Sequence, residues 1–81
     1  MQIKPLSGKV KTYLAQHQLN KKFNKQVKLL RQNARHPSLH TELLVPKAEG
    51  IYSFRIDRKY RALFIIVSSA IEIIAITDHY Q

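Results

Sequence analysis

The chain has no cysteine, only two glycines and three prolines in 81 residues, and no acidic residue before Glu42. Each shortage excludes something. Without cysteine there are no disulfides and no thiolate metal sites, so one small core has to hold the fold, and a reducing cytosol suits such a chain. With so little glycine and proline, and 44% hydrophobic residues, the sequence is neither disordered nor of low complexity. Long hydrophobic runs are missing too. The longest, Ala62 to Val67, is far too short to span a bilayer, and the first residues lack the continuous apolar segment of a signal peptide. The expectation is a single cytoplasmic domain over residues 1–81, of a size that buries about 60% of the surface its unfolded chain exposes.

The shortage of acids is the most directional of these. Five acids, Glu42, Glu49, Asp57, Glu72 and Asp78, face fourteen Lys and Arg residues, for a formal charge of +9. Residues 1–41 hold Lys4, Lys9, Lys11, Lys21, Lys22, Lys25, Lys28, Arg31 and Arg35 with no anion among them, so they supply the whole excess. A purely solvating surface mixes both signs. One-sided charge points instead to a polyanionic partner, either nucleic acid or an acidic protein segment.

Periodicity then orders the chain as helices followed by strands. Pro5 opens a short helix carrying Leu6, Val10 and Leu14 at spacings of four, which ends near His17. Asn20 is the expected N-cap of a second helix, with an apolar stripe of Phe23, Val27 and Leu30 and an opposite basic stripe of Lys21, Lys25 and Lys28. Pro37 biases its predecessor out of helical geometry, so the helix stops before His36. Leu43-Leu44-Val45, ended by Pro46, reads as an edge strand.

From Gly50 the period becomes two. Tyr52, Phe54 and Ile56 share a face with Ala62, Phe64 and Ile66 of the next strand, which leaves Arg55 and Arg61 together on the other. Ser68-Ser69 is a tight connection into a last strand, Ala70 to Asp78. Its odd residues Ile71, Ile73 and Ala75 are expected toward the helices, and Glu72, Ile74 and Ile76 on the open face. Met1 to Leu6 offers at most a short strand broken by Pro5. The fold class is therefore α+β, two N-terminal helices packed on a three- to four-stranded antiparallel sheet.

The order of helices, the HPSLH loop, the GIYSFRI and KYRALF runs and the DHY ending resemble the RelE/ParE superfamily of toxins from bacterial type II toxin–antitoxin modules. The resemblance covers nearly the whole chain from about Leu19. It implies a partner, a small and more acidic antitoxin. For members like RelE and YoeB it also implies a ribosome-dependent endoribonuclease that activates a ribose 2′-OH of mRNA for attack on the adjacent phosphate, with no metal or other cofactor. The alternative implied by ParE-like members is a non-enzymatic toxin that inhibits DNA gyrase.

On that resemblance Arg61 stabilises the transition-state phosphate, while His79 moves protons and Tyr80 positions a base or donates a proton. Arg55 is by parity either a second phosphate contact or the ion-pair partner of Asp57 or Glu72. The general base is not fixed: His36, His40 and Glu42 are the candidates. Two histidines four apart do not make a metal site, which needs three or four ligands. The basic helix, with Lys21, Lys25, Lys28, Arg31 and Arg35, is the expected grip on RNA phosphates.

Overall fold

A computed structural model describes residues 1–78. Helix α1 spans Gly8–Gln16, and its cap is Ser7, whose hydroxyl accepts from the Val10 N–H at 3.2 Å. The helix therefore starts later than Pro5 suggested, because a side-chain acceptor satisfies an orphan N–H where a proline only tolerates the position. Gln18, in the left-handed region at φ 52°, turns the chain, and Leu19 enters the core at the head of helix α2, Asn20–Gln32. Asn20 is not the cap as expected: it lies inside the helix, and Leu19 holds the cap position without a side-chain hydrogen bond.

The strands are β1 (Gln2–Ile3), β2 (Glu42–Leu43), β3 (Tyr52–Arg55), β4 (Arg61–Val67) and β5 (Ala70–Thr77), in the order β1-β5-β4-β3-β2. The α+β class and the two helices stand. The strand count does not, because among the described residues the sheet has five strands and is mixed: β1 pairs parallel to β5, and Lys4 N extends the pairing to Ile71 O at 2.8 Å. Two residues carry no readable alternation, so only tertiary pairing defines this strand. The edge strand β2 is Glu42–Leu43 and not Leu43–Val45, and it pairs antiparallel with β3. Ser68 and Ser69, at φ 51° and 67°, form the two-residue turn between β4 and β5, in the left-handed geometry that matches strand twist.

The core lies between the helices and one face of the sheet. Val10 and Leu14 of α1, and Phe23, Val27 and Leu30 of α2, meet Phe54, Ala62, Phe64, Ile71 and Ile73. Leu39, from the 3-10 turn Pro37–Leu39, closes one end and is fully buried. Cross-strand partners share a face, so the register tests the parity expectation. It holds through Ile73 and then fails. A bulge between Leu63 and Phe64 pairs Leu63 with Ala75 but Phe64 with Ile73, leaving Ile74 as the extra residue, 39% exposed. Beyond it the strand is inverted: Ile76 pairs with Ala62 and packs on the core, while Ala75 and Thr77 go to the open face.

Candidate functional site

The open face of β2, β3 and β4 carries the polar residues of the sheet. Glu42 pairs with Ser53, Ser53 with Leu63, and Arg55 with Arg61, whose other neighbour is Thr77. The expected pairing of Arg55 and Arg61 on one face is thus present. Arg61 is neither an outward cation nor free to swing. It is only 6% exposed, and its Nε donates to Ser53 Oγ at 3.0 Å. Its Nη2 donates to Ser53 O at 3.3 Å and to the carbonyl of His40.

Burial pushes the Arg61 guanidinium below its ordinary value, the nearby Glu42 carboxylate opposes that shift, and Arg55 adds to it. The group remains a cation, because arginine starts so far above neutrality. A buried charge is tolerated only when its hydrogen bonds are met, and those that Arg61 donates to Ser53 and His40 fix the guanidinium plane. Among the described residues, Glu42 is the acid whose field acts on Arg61. Of the base candidates, the structure therefore sets Glu42 on the arginine face, exposed at the head of β2.

The histidines divide by role. His40 sits in the left-handed region at φ 45° and meets Arg61 through its backbone carbonyl. The His36 ring accepts the Ser38 N–H at Nδ1, 3.1 Å, and so caps the 3-10 turn. His17 lies at the end of α1 as expected, donating from Nδ1 to Tyr13 O at 2.9 Å, and it also stacks on Tyr13 at 4.0 Å. His79 and Tyr80 lie outside the described residues.

Gln26 is a residue that sequence reasoning missed. It occupies a core-facing position of α2, and its Nε2 donates to Ser38 O at 3.1 Å and to Arg55 O at 2.8 Å. One amide thus ties the helix both to the loop that presents His40 and to the end of β3. The available signal was a polar residue interrupting the Phe23, Val27, Leu30 stripe.

The basic helix stripe stands elsewhere. Lys21, Lys25, Lys28 and Arg31 are all exposed, on the side of α2 away from its buried stripe. Since that stripe packs on the covered face of the sheet, these cations lie across the molecule from Arg61. Arg35, also exposed, borders a groove of about 640 Å3 beside the last turn of α2. Its floor includes Leu43, Tyr52, Phe64 and Ile66, and its rim includes Arg35 and His40. Leu43 and Ile66 are 38% and 46% exposed there.

Among the described residues, no helix is long and apolar enough to cross a membrane. Neither protein-family models nor curated protein sequences match the chain. Solved structures do. The toxin in a heterotetrameric YoeB–YefM toxin–antitoxin complex from Staphylococcus aureus is 24% identical over 99% of this chain and 100% of its own, with a TM-score of 0.71. A YoeB dimer from the same organism is 26% identical over 98% and 94%, at 0.71. A YoeB/ParE toxin from Agrobacterium tumefaciens is 17% identical over 99% and 100%, at 0.73.

Proposed function

From the premise that the chain has the RelE/ParE toxin fold and is similar to YoeB, we propose that it is the toxin of a type II toxin–antitoxin module and cleaves mRNA on the ribosome. The observation that carries the nuclease reading is the open-face cluster, in which an exposed carboxylate, Glu42, acts on a fixed cation, Arg61, beside Arg55. Glu42 takes the proton from the ribose 2′-OH as that oxygen attacks the adjacent phosphorus. Arg61 stabilises the charge that gathers on the phosphorane oxygens, and because Ser53 and His40 already hold it, no reorganisation is needed during reaction. The bond to the 5′-oxygen then breaks, and the leaving oxygen takes a proton from His79, the role implied by the family resemblance. The products are a 2′,3′-cyclic phosphate and a 5′-hydroxyl.

The partners follow from charge. Lys21, Lys25, Lys28, Arg31 and Arg35 bind ribosomal RNA phosphates from the helix side of the molecule. The antitoxin is acidic, and its apolar residues fill the groove over Leu43 and Ile66 while its carboxylates meet Arg35 and the neighbouring helix cations. Such a segment folds as it binds.

The test is to incubate the chain with translating ribosomes and map new mRNA ends. The wild type is expected to cut within the A-site codon, and Glu42→Gln to cut about 10²–10⁴ times more slowly, the usual effect of removing a placed base. Glu42→Gln cleaving at the wild-type rate would refute its role as base. Intact mRNA with inhibited gyrase would turn the reading to the non-enzymatic alternative.

A further inference from the structure

The turn between β3 and β4, residues 56–60, spends its only acid on holding itself together. Asp57 Oδ1 accepts the backbone N–H groups of Lys59 at 2.9 Å and Tyr60 at 2.8 Å, and Oδ2 accepts Lys22 Nζ at 3.1 Å. Burial alone would raise this carboxyl, but the two backbone donors and the Lys22 ammonium outweigh it and hold it below its ordinary value. The carboxylate is thus committed to the turn backbone and to α2.

Around the same turn Arg55, Arg58, Lys59 and Arg61, together with Asp57, line a hollow of about 80 Å3. Among the described residues, no carboxylate forms an ion pair with Arg55, Arg58 or Lys59. Arg55, Arg58 and Lys59 therefore share a small space with Arg61, whose charge Glu42 already opposes, and with one acid that is already engaged. Arg55 and Arg61 are direct cross-strand partners, an arrangement of like charges that destabilises a sheet. Lys59 is held over the Tyr60 ring, 5.3 Å from its centroid, which keeps its ammonium near the turn. Repulsion built into a free protein at such a place is relieved by an anion, and the hollow has room for a single phosphate-sized group.

We propose that this turn is a second phosphate subsite, holding the single-stranded RNA phosphate next to the one that is cleaved, with Arg58 and Lys59 as its own cations and Arg55 shared with the cleavage site. The inference rests on the ribonuclease reading for the identity of its ligand. Position supports RNA over a free oxyanion: Arg61 lines both the hollow and the open-face cluster, so a strand crossing Arg61 continues into the turn. Arg58 and Lys59 themselves are exposed and stand outside the proposed chemistry.

The test uses the full chain, a short single-stranded RNA with every ribose 2′-O-methylated so that it cannot be cut, and the double variant Arg58→Gln/Lys59→Gln. The dissociation constant is measured across a salt series. The variant is expected to bind several-fold more weakly at low salt, and its slope of log affinity against log salt to be shallower by about 0.7, the value for one single-strand phosphate. Asp57 is retained, so the turn keeps its backbone bonds, and an unchanged melting temperature confirms the fold. Equal slopes for variant and wild type overturn the subsite even if cleavage is seen. A wild type that binds with the predicted slope difference but leaves mRNA intact overturns the ribonuclease reading instead.

Discussion

The two faces of the β3–β4–β5 sheet use the same alternation for different ends. On the covered face, alternate positions bring Phe54, Ala62, Phe64 and Ile73 together against two helices, and what matters is volume and apolarity. On the other, the alternate positions bring Glu42, Ser53, Arg55 and Arg61 into one hydrogen-bonded and electrostatic set, and what matters is which atom donates to which. The comparison teaches that burial does not separate core from site. Arg61 is 6% exposed, about as buried as Val27 at 8%, yet one is held by hydrogen bonds to Ser53 and His40 and the other by packing. The two faces should therefore fail in different ways when they are damaged.

The largest effect on stability is expected from the covered face. Phe54 is fully buried, between Phe23 at 6.1 Å and Phe64 at 6.0 Å between ring centroids. Phe54→Ala leaves a cavity that these rings cannot close without moving the sheet, and should cost about 3–5 kcal/mol in a denaturant titration. For a domain of this size that is a large share of the total. A loss under 1 kcal/mol would mean that the core repacks freely and that the contrast between the faces is overstated.

Ser53→Ala is smaller in stability but sharper in meaning, because Ser53 belongs to the open face and yet has no exposed surface. The change removes the hydroxyl that accepts from Arg61 Nε and leaves a buried charged donor short of a partner. About 1.5–3 kcal/mol is the expected cost. If Ser53 serves to orient the guanidinium, mRNA cleavage should fall as well, and Ser53→Thr, which retains an acceptor, should restore part of the rate. Phe54→Ala, compared below its melting transition, should leave cleavage by the folded fraction much closer to wild type.

How far the sequence showed this depends on the range of the interaction involved. The stripes of α2 and the shared parity of Arg55 and Arg61 are set by residues close in the chain, and both were readable. So was the tight Ser68-Ser69 turn. The inversion at Ile74 was not, because a bulge is decided by two strands settling against one another, and neither strand alone has a pattern that announces it. The same holds for β1, which exists only through its pairing with β5. At the site, the sequence offered His36 and His40, together with Glu42, as candidate bases, with His40 the one named among the catalytic residues. Where each of them lies depends on loop geometry: His40 turns its carbonyl to Arg61, the His36 ring caps its own turn, and Glu42 stands on the arginine face.

The smallest effect is expected from the side of the molecule that the comparison leaves out. Lys21, Lys25 and Lys28 are exposed on α2, across the core from Arg61, and their replacement by Gln keeps helix propensity while removing charge. Stability should change by no more than about 0.5 kcal/mol, as for most surface substitutions. If the stripe grips ribosomal RNA, the salt dependence of ribosome binding should become shallower by about 2, roughly 0.7 for each lost phosphate contact, while the maximal cleavage rate holds. An unchanged salt slope would reduce the stripe to a solvated helix face and move the search for the ribosome contact to the sheet. A collapse of the maximal rate would mean that charge on the helix layer reaches the chemistry, and that the two sides of the domain are not independent.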